Sequence, residues 1–208
     1  MYQPAPGTAY REPVVLIDDR PLHAVKDFCY LGSILSNDAS LNKEILNRIS
    51  KASASFGSLQ NRVWKQHGIS RKTKIKVYKA CVLSNLLYGC ETWTVYRRHI
   101  RQLETFHHRH LRSILGIKWQ DKVSNVEVLE QAECSSIEEL LLRSQLRWTG
   151  HIVRMGDNRI PKQLLYGELK QGKRVQGGQK KPFKDNIKQS LKKASIDISN
   201  WEKMATDR

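Results

Sequence analysis

From Leu41 onward, apolar residues recur at spacings of three and four: Leu41, Ile45, Ile49, Ala52, Phe56, Leu59 and Val63. That period matches the 3.6-residue turn of an α-helix with one buried face, and Gly68 is its natural stop. Ser70 then caps a second helix in which Ile75, Tyr78, Val82 and Leu86 face inward. A third carries Ile100, Leu103, Phe106 and Ile114 on one side and ends at Gly116. Two Ser-x-x-Glu sequences follow, Ser124 with Glu127 and Ser136 with Glu139. Such capping boxes satisfy the orphan N–H groups of a helix start reciprocally. The second opens a long helix through Met155, with Ile137, Leu141, Trp148, Ile152 and Met155 expected in the core. Shorter helices are expected over residues 160–169 and 183–194. Another begins at Ser199 or Asn200 and stops with the chain at Arg208, as a truncated reading frame would.

Before Leu41 the pattern is different. Residues 1–12 contain Pro and Gly and have no period. Residues 13–17 form a short β-rich run, Asp18-Asp19-Arg20-Pro21 is a turn cluster, and residues 22–25 can return as a second strand. Phe28-Cys29-Tyr30-Leu31-Gly32 is a third, with Gly32 allowing a bend or close backbone approach. The expected fold is mainly α: short N-terminal strands or a β-hairpin, a helical bundle, then a second helical segment with a basic loop. The divisions are a flexible start (1–12), a hairpin region (13–35), a bundle (36–118), a helical extension (119–169), and a basic loop with a helical tail (170–208).

Charge changes this picture. Among 208 residues, Lys plus Arg number 36 against 20 Asp plus Glu, a formal net charge of +16. An excess of this size points to a polyanionic partner, with nucleic acid the default. The hydrophobic fraction, 39%, is enough for a core, which argues against wholesale disorder. No apolar run approaches the ~18–20 residues of a membrane span, and Ser84 and Asn85 break the best candidate. The start of the chain lacks the charged and apolar blocks of a signal peptide. Cys29, Cys81, Cys90 and Cys134 form no Cys-x-x-Cys pair. Cys81 and Cys90 are expected on one helix, about 13 Å apart along its axis and too far for a disulfide. The expectation is an intracellular protein, nuclear or cytoplasmic, with reduced thiols.

Helical geometry locates the charge. At about 100° per residue, Arg98, Arg101, Arg109 and Arg112 share one quadrant of the third helix, opposite its apolar side. Arg143, Arg147, His151 and Arg154, spaced four, four and three apart, line one stripe of the helix that follows Ser136. Lys173, Arg174, Lys180 and Lys181 lie among Gly172, Gly177 and Gly178 in a basic loop. One such stripe could be merely a solvated face. Two stripes and a loop together favour phosphate contact, because a polyanion relieves the like-charge repulsion and releases its own counterions. The small-residue run Ala52-Ser53-Ala54-Ser55-Phe56-Gly57-Ser58 permits close approach, more commonly of another helix than of a nucleic-acid groove.

Candidate chemistry is sparse. Asp18-Asp19 follows an apolar strand but has no third carboxylate converging on it, as two-metal phosphoryl transfer needs, and a turn would use the same residues. His107 and His110 share a face, yet no Cys or carboxylate stands at zinc-ligand spacing, so they read as partly buried structural histidines. His151 with Asp157 lacks a nucleophile or a metal. The glycines at 172, 177 and 178 lack the strand-to-helix context of a phosphate-binding loop. No cofactor or metal is expected.

Several of these segments, in order, resemble a known family. Phe28-Cys29-Tyr30-Leu31-Gly32-Ser33, Glu44-Ile45 with Arg48-Ile49, and Leu86-Leu87-Tyr88-Gly89-Cys90-Glu91-Thr92-Trp93 are similar to the region after the catalytic core of non-LTR (LINE-type) retrotransposon reverse transcriptases. The likeness continues through Leu111-Arg112-Ser113-Ile114-Leu115-Gly116-Ile117, Leu146-Arg147-Trp148-Thr149-Gly150-His151 with Arg154-Met155, and Gly172-Lys173-Arg174. It implies that Tyr30, Leu31 and Gly32 belong to a primer-grip hairpin and that residues 41–116 form a thumb whose Arg48 and Lys51 track a duplex. It further implies that the part beyond Trp119 is a C-terminal extension binding element RNA or target DNA. The family's endonuclease, fingers and most of the palm, with its Tyr-x-Asp-Asp signature, have no counterpart here. Related elements often carry Cys where this chain has His110, which argues further against a metal site. The expected function is non-catalytic binding of RNA or DNA, with the catalytic part of a reverse transcriptase as a possible partner and no membrane. The alternatives are a decayed or domesticated remnant acting as a protein-interaction scaffold or with no function, and a stand-alone nuclease, which would need Asp18, Asp19 or His151.

Overall fold

Two short antiparallel hairpins lead into nine α-helices among the residues that the computed structural model describes, 11, 13–38, 40–167 and 183–207. In the first hairpin β1 (Leu16–Ile17) pairs with β2 (Arg20–Pro21). Asp18 and Asp19 make the connection, both with positive φ (46° and 60°). Two consecutive left-handed residues match the right-handed twist of the flanking strands, and Asp tolerates that region. The aspartates are therefore turn residues. The return strand forms earlier than the expected 22–25, although the Leu22 N–H still donates to the Val15 carbonyl at 2.8 Å.

In the second hairpin β3 (Asp27–Tyr30) pairs with β4 (Ser33–Ser36), Tyr30 opposite Ser33. Leu31 and Gly32 are its turn, at φ 48° and 79°. Gly32 is thus a turn residue, and the hairpin region expected over residues 13–35 holds two hairpins, the second closed by β4.

The first helix, α1 (Asn42–Ser58), gives way to a π-helical turn at Gln60–Trp64. The apolar period carries on through it, which is why it reads as one helix to Val63. Trp64 folds back there: its indole Nε1–H donates to the Phe56 carbonyl at 2.7 Å, and the two rings stack at 4.8 Å. The Ser70 hydroxyl accepts from the Thr73 N–H at 3.2 Å and caps α2 (Arg71–Val77). A π segment, Tyr78–Leu83, then joins it to α3 (Ser84–Leu86). The Cys81 carbonyl of that π segment takes hydrogen bonds from the Ser55 hydroxyl at 3.1 Å and the Asn85 amide at 2.8 Å. The small residues of α1 serve close helix packing. Gly89 (φ 76°) breaks the chain into a 3₁₀ turn at Cys90–Thr92, so Cys90 lies beyond the helix that holds Cys81. All four cysteines are free thiols.

The long α4 (Arg97–Leu115) ends on left-handed Gly116 (φ 75°), the usual residue for this C-terminal conformation. The box at Ser124 forms in both directions and starts α5 (Asn125–Gln131). At Ser136, which starts α6 (Ile137–Val153), the hydroxyl accepts from the Glu139 N–H, while the Glu139 carboxylate pairs with Arg143. The chain continues with α7 (Ile160–Tyr166), α8 (Phe183–Lys193) and α9 (Trp201–Thr206).

One apolar core runs from Ile45 to Leu141, crossing residue 118, with Ile45, Tyr78, Val82, Leu86, Leu103, Leu111, Val128 and Ile137 fully buried. Each such side chain contributes on the order of 1.5–3 kcal/mol over leaving it in water. Between Leu141 and Ile152 the inward face of α6 is polar. Gln145 and Thr149 are buried, beside Asn186 and Ser190 of α8. Gln145 Nε2 donates to the Trp93 carbonyl at 2.9 Å, and its Oε1 accepts from Asn186 Nδ2 at 3.0 Å. This layer ties α8 to α6 and to the Trp93 carbonyl.

Candidate nucleic-acid interface

The hairpin turn is clamped onto α1. The Gly32 carbonyl accepts from Asn47 Nδ2 at 3.3 Å, Arg48 Nη2 at 2.9 Å and Lys51 Nζ at 2.7 Å. Arg48 also donates to Ser33 Oγ at 2.7 Å and to Glu44 Oε1 at 2.6 Å, and its guanidinium lies 4.6 Å from the centre of the Tyr88 ring. Arg48 is only 3% exposed. Its charge is consumed inside the fold, so it cannot track a duplex; it holds the hairpin. Lys51 stays at the surface with its ammonium on Gly32. Tyr30 and Leu31 project outward, Leu31 with 75% of its surface exposed, and Tyr30 stacks loosely on Phe28.

The arginines of α4 divide. Arg101, Arg109 and Arg112 line one groove with Arg97, Glu104, His108, Asn125 and Glu138. Arg101 and Arg109 are exposed and make no ion pair among the described residues. Arg112 is anchored by the Val123 carbonyl (2.8 Å) and Asn125 Oδ1 (2.9 Å), neutral acceptors that leave its charge unbalanced. Arg98 is drawn aside, over the Tyr96 ring at 5.4 Å. The groove also holds Glu104 Oε2 and His108 Nε2, both buried and without a hydrogen-bond partner among the described residues. At its rim Glu138 receives Arg97 (3.2 Å) and Lys193, and these cations, Lys193 first, hold its carboxyl below the usual range. The charge-stripe reading overlooked Arg97 and Lys193, since their common acid is brought to them only by packing.

On α6, Arg143 pairs with Glu139 at 2.8 Å. Arg147, His151 and Arg154 instead converge on a cleft of about 470 Å³ together with Trp148, Ser144 and Glu91. Arg154 is steadied by the Ala205 carbonyl at 2.7 Å. Trp148 was expected in the core. It is half-buried and opens on this cleft, its ring centre 5.6 Å from that of His151, because Gln145 and Thr149 occupy the inward face. Lys173, Arg174, Lys180 and Lys181 lie outside the described residues.

The histidines of α4 are structural. His107 is fully buried, with Nδ1 2.8 Å from the Tyr78 hydroxyl and Nε2 3.3 Å from the Ser135 carbonyl. The carbonyl can only accept, so Nε2 carries the proton and Nδ1 accepts from Tyr78. Burial pushes the His107 pKa down to about 4 and raises that of Tyr78 well above its ordinary value. His110 packs between Phe56 and Phe106 and bonds the Phe106 carbonyl at 2.8 Å. Asp157 pairs with Lys162 at 2.8 Å, which removes it as an acid–base partner for His151. Among the described residues no group of three His, Cys, Asp or Glu side chains could hold a metal ion, and no helix is long and apolar enough to cross a membrane.

The chain is similar to a transposon-derived protein of Caenorhabditis elegans, itself uncharacterised. They are 22% identical over 194 residues, which span 90% of this chain and 69% of the other. No protein-family model and no solved structure matches.

Proposed function

We propose that this chain is a non-catalytic nucleic-acid-binding segment of a retrotransposon reverse transcriptase, holding template–primer, element RNA or target DNA through phosphate contacts. One observation carries the reading. Of the 30 Lys and Arg among the described residues, six have an acidic partner, namely Lys43, Arg48, Arg97, Arg143, Lys162 and Lys193. The unbalanced remainder includes Arg101, Arg109 and Arg112 on one groove and Arg147 and Arg154 on one cleft. Converging cations that the neighbouring acids do not pair with are what a phosphate backbone neutralises, and they orient the strand without reading its sequence. The similarity to a transposon-derived protein supports the origin, and the catalytic part of the polymerase is the expected protein partner.

Binding of RNA and DNA to the purified chain, titrated with salt, tests this. If about 6–10 phosphates are neutralised, affinity falls by roughly 10³–10⁵ between 50 and 200 mM salt. A flat salt response, or no binding at low salt, refutes the proposal. A second reading, a remnant that scaffolds another protein, draws on the exposed apolar side chains Val14, Leu16 and Ile17 of the first hairpin. It predicts protein association with no affinity for nucleic acid.

A further inference from the structure

The cleft on α6 has one feature that phosphate binding does not use. Its floor is an indole. Trp148 is flanked on the same helix by Ser144, Arg147, His151 and Arg154, and across the cleft stands Glu91 from the 3₁₀ turn at Cys90–Thr92. A large aromatic that is partly buried and presents its remaining surface to a cleft lined by two arginines is suited to stack a planar ring. The groove on α4 offers the contrast, since its lining contains cations and carboxylates but no Trp, Tyr or Phe.

Base faces are hidden in a duplex, so an indole platform selects an unpaired nucleotide. Arg147 adjoins Trp148 on α6 and Arg154 is the helix's C-cap, and both line the cleft with the indole, where they would meet the strand's phosphates. Glu91 makes no ion pair among the described residues, and its oxygens can only accept. It therefore favours a base whose edge presents an amino group, as cytosine N4 does, over uracil or thymine, which present a carbonyl there. The cleft's 470 Å³ falls within the roughly 300–1,000 Å³ of ligand sites.

We infer that the Trp148 cleft is a single-strand site, in which the indole stacks one unpaired base, Arg147 and Arg154 hold the adjoining phosphates, and Glu91 accepts from the base's amino group. This deepens the phosphate-binding reading and rests on it.

The test uses the full chain, with 12-nucleotide oligo(rC), oligo(dC) and oligo(rU) and a blunt duplex of equal length as probes. Oligo(C) binding is expected to quench a part of the tryptophan fluorescence that is missing from Trp148→Phe, while Trp148→Phe retains most of the affinity. Trp148→Ala is expected to weaken oligo(C) about tenfold and to leave the duplex unchanged. Glu91→Gln is expected to narrow the preference for oligo(rC) over oligo(rU), and the comparison of rC with dC separates an RNA ligand from a DNA one. Quenching identical in wild type and Trp148→Phe overturns the inference, as does an equal loss on duplex and single strand in Trp148→Ala. In that case salt-sensitive binding to both probes would leave the phosphate reading intact. Failure to bind any probe removes both. The fluorescence comparison stands even if Trp148→Ala does not fold.

Discussion

Glu44 and Arg48 sit one turn apart on α1, joined at 2.6 Å with side chains only 3% and 4% exposed. The acid accepts the Ile34 N–H of β4 at 2.5 Å, and the base donates to the Gly32 carbonyl in the turn and to the Ser33 hydroxyl where β4 begins. The pair is a rivet between hairpin and helix. A buried pair of this kind is weak evidence for net stability, but breaking it leaves an uncompensated buried charge.

Arg48→Ala and Glu44→Ala should therefore each cost about 3–5 kcal/mol, read as a drop in the urea midpoint. Arg48→Lys should not restore stability, because an ammonium cannot reproduce the planar fork that meets Glu44, Gly32 and Ser33 while lying on Tyr88. The double variant Glu44→Gln/Arg48→Met should cost less than either alanine variant. An Arg48→Ala protein as stable as wild type would mean the guanidinium is not held as described.

Stability should also fall in mild acid, with His107 the main cause. Its pKa is lowered to about 4 in the fold, against about 6.5 unfolded. Above pH 6.5 it is neutral in both states and costs nothing. As pH drops below 6.5 the unfolded chain takes up the proton first, and stability is lost progressively until about pH 4. The total is on the order of 3 kcal/mol. His99 and His110 shift in the same direction, again chiefly through burial. Thermal melts between pH 7.5 and 4 should show this slope, and His107→Gln should flatten part of it. An unchanged slope in His107→Gln would exclude this origin.

What the sequence made legible follows from what is local. The helices α1, α4 and α6 run 17 to 19 residues, long enough for a 3.6-residue period to stand out, and the Ser caps are four-residue signals. The turn role of Asp18-Asp19 and the structural role of the α4 histidines were equally readable. The buried polar residues were not. Arg48 and Gln145 look like surface residues because, Glu44 apart, the groups that satisfy them lie 15 or more positions away, at Gly32 and at Trp93 and Asn186. Trp148 was misassigned for the complementary reason: bulk suggested the core, but Gln145 and Thr149 had taken the inward face. The π segments leave the apolar spacing nearly intact and so leave no mark on it.

Gln145 supplies a third expectation. Replacing it with Leu removes the acceptor for Asn186 Nδ2 and the donor to the Trp93 carbonyl. Asn186 Nδ2 still reaches the Trp93 carbonyl at 3.5 Å, so the loss of the Gln145 bonds should cost about 1–3 kcal/mol in all. The loss should localise: amide exchange in α8 should quicken far more than in α1 or α4. Uniform quickening over all helices would show instead that Gln145 supports the whole fold.

The candidate interface itself separates charges that bind from charges that build. Arg101, Arg109 and Arg147 are exposed and without an acid among the described residues, so each alanine substitution should leave the melting temperature nearly unchanged. Each should lower the slope of log affinity against log salt by about one. Arg143→Ala should alter it least, since Glu139 already balances that charge. A partly destabilising substitution at Gly32, Gly32→Ala, provides the control. It forces a side chain onto φ 79° with its Cβ 3.1 Å from Lys51 Nζ, so it should loosen the hairpin without touching the α4 and α6 arginines. If it lowers the salt slope as much as Arg101→Ala does, the phosphates are held at the hairpin and not on these two helices.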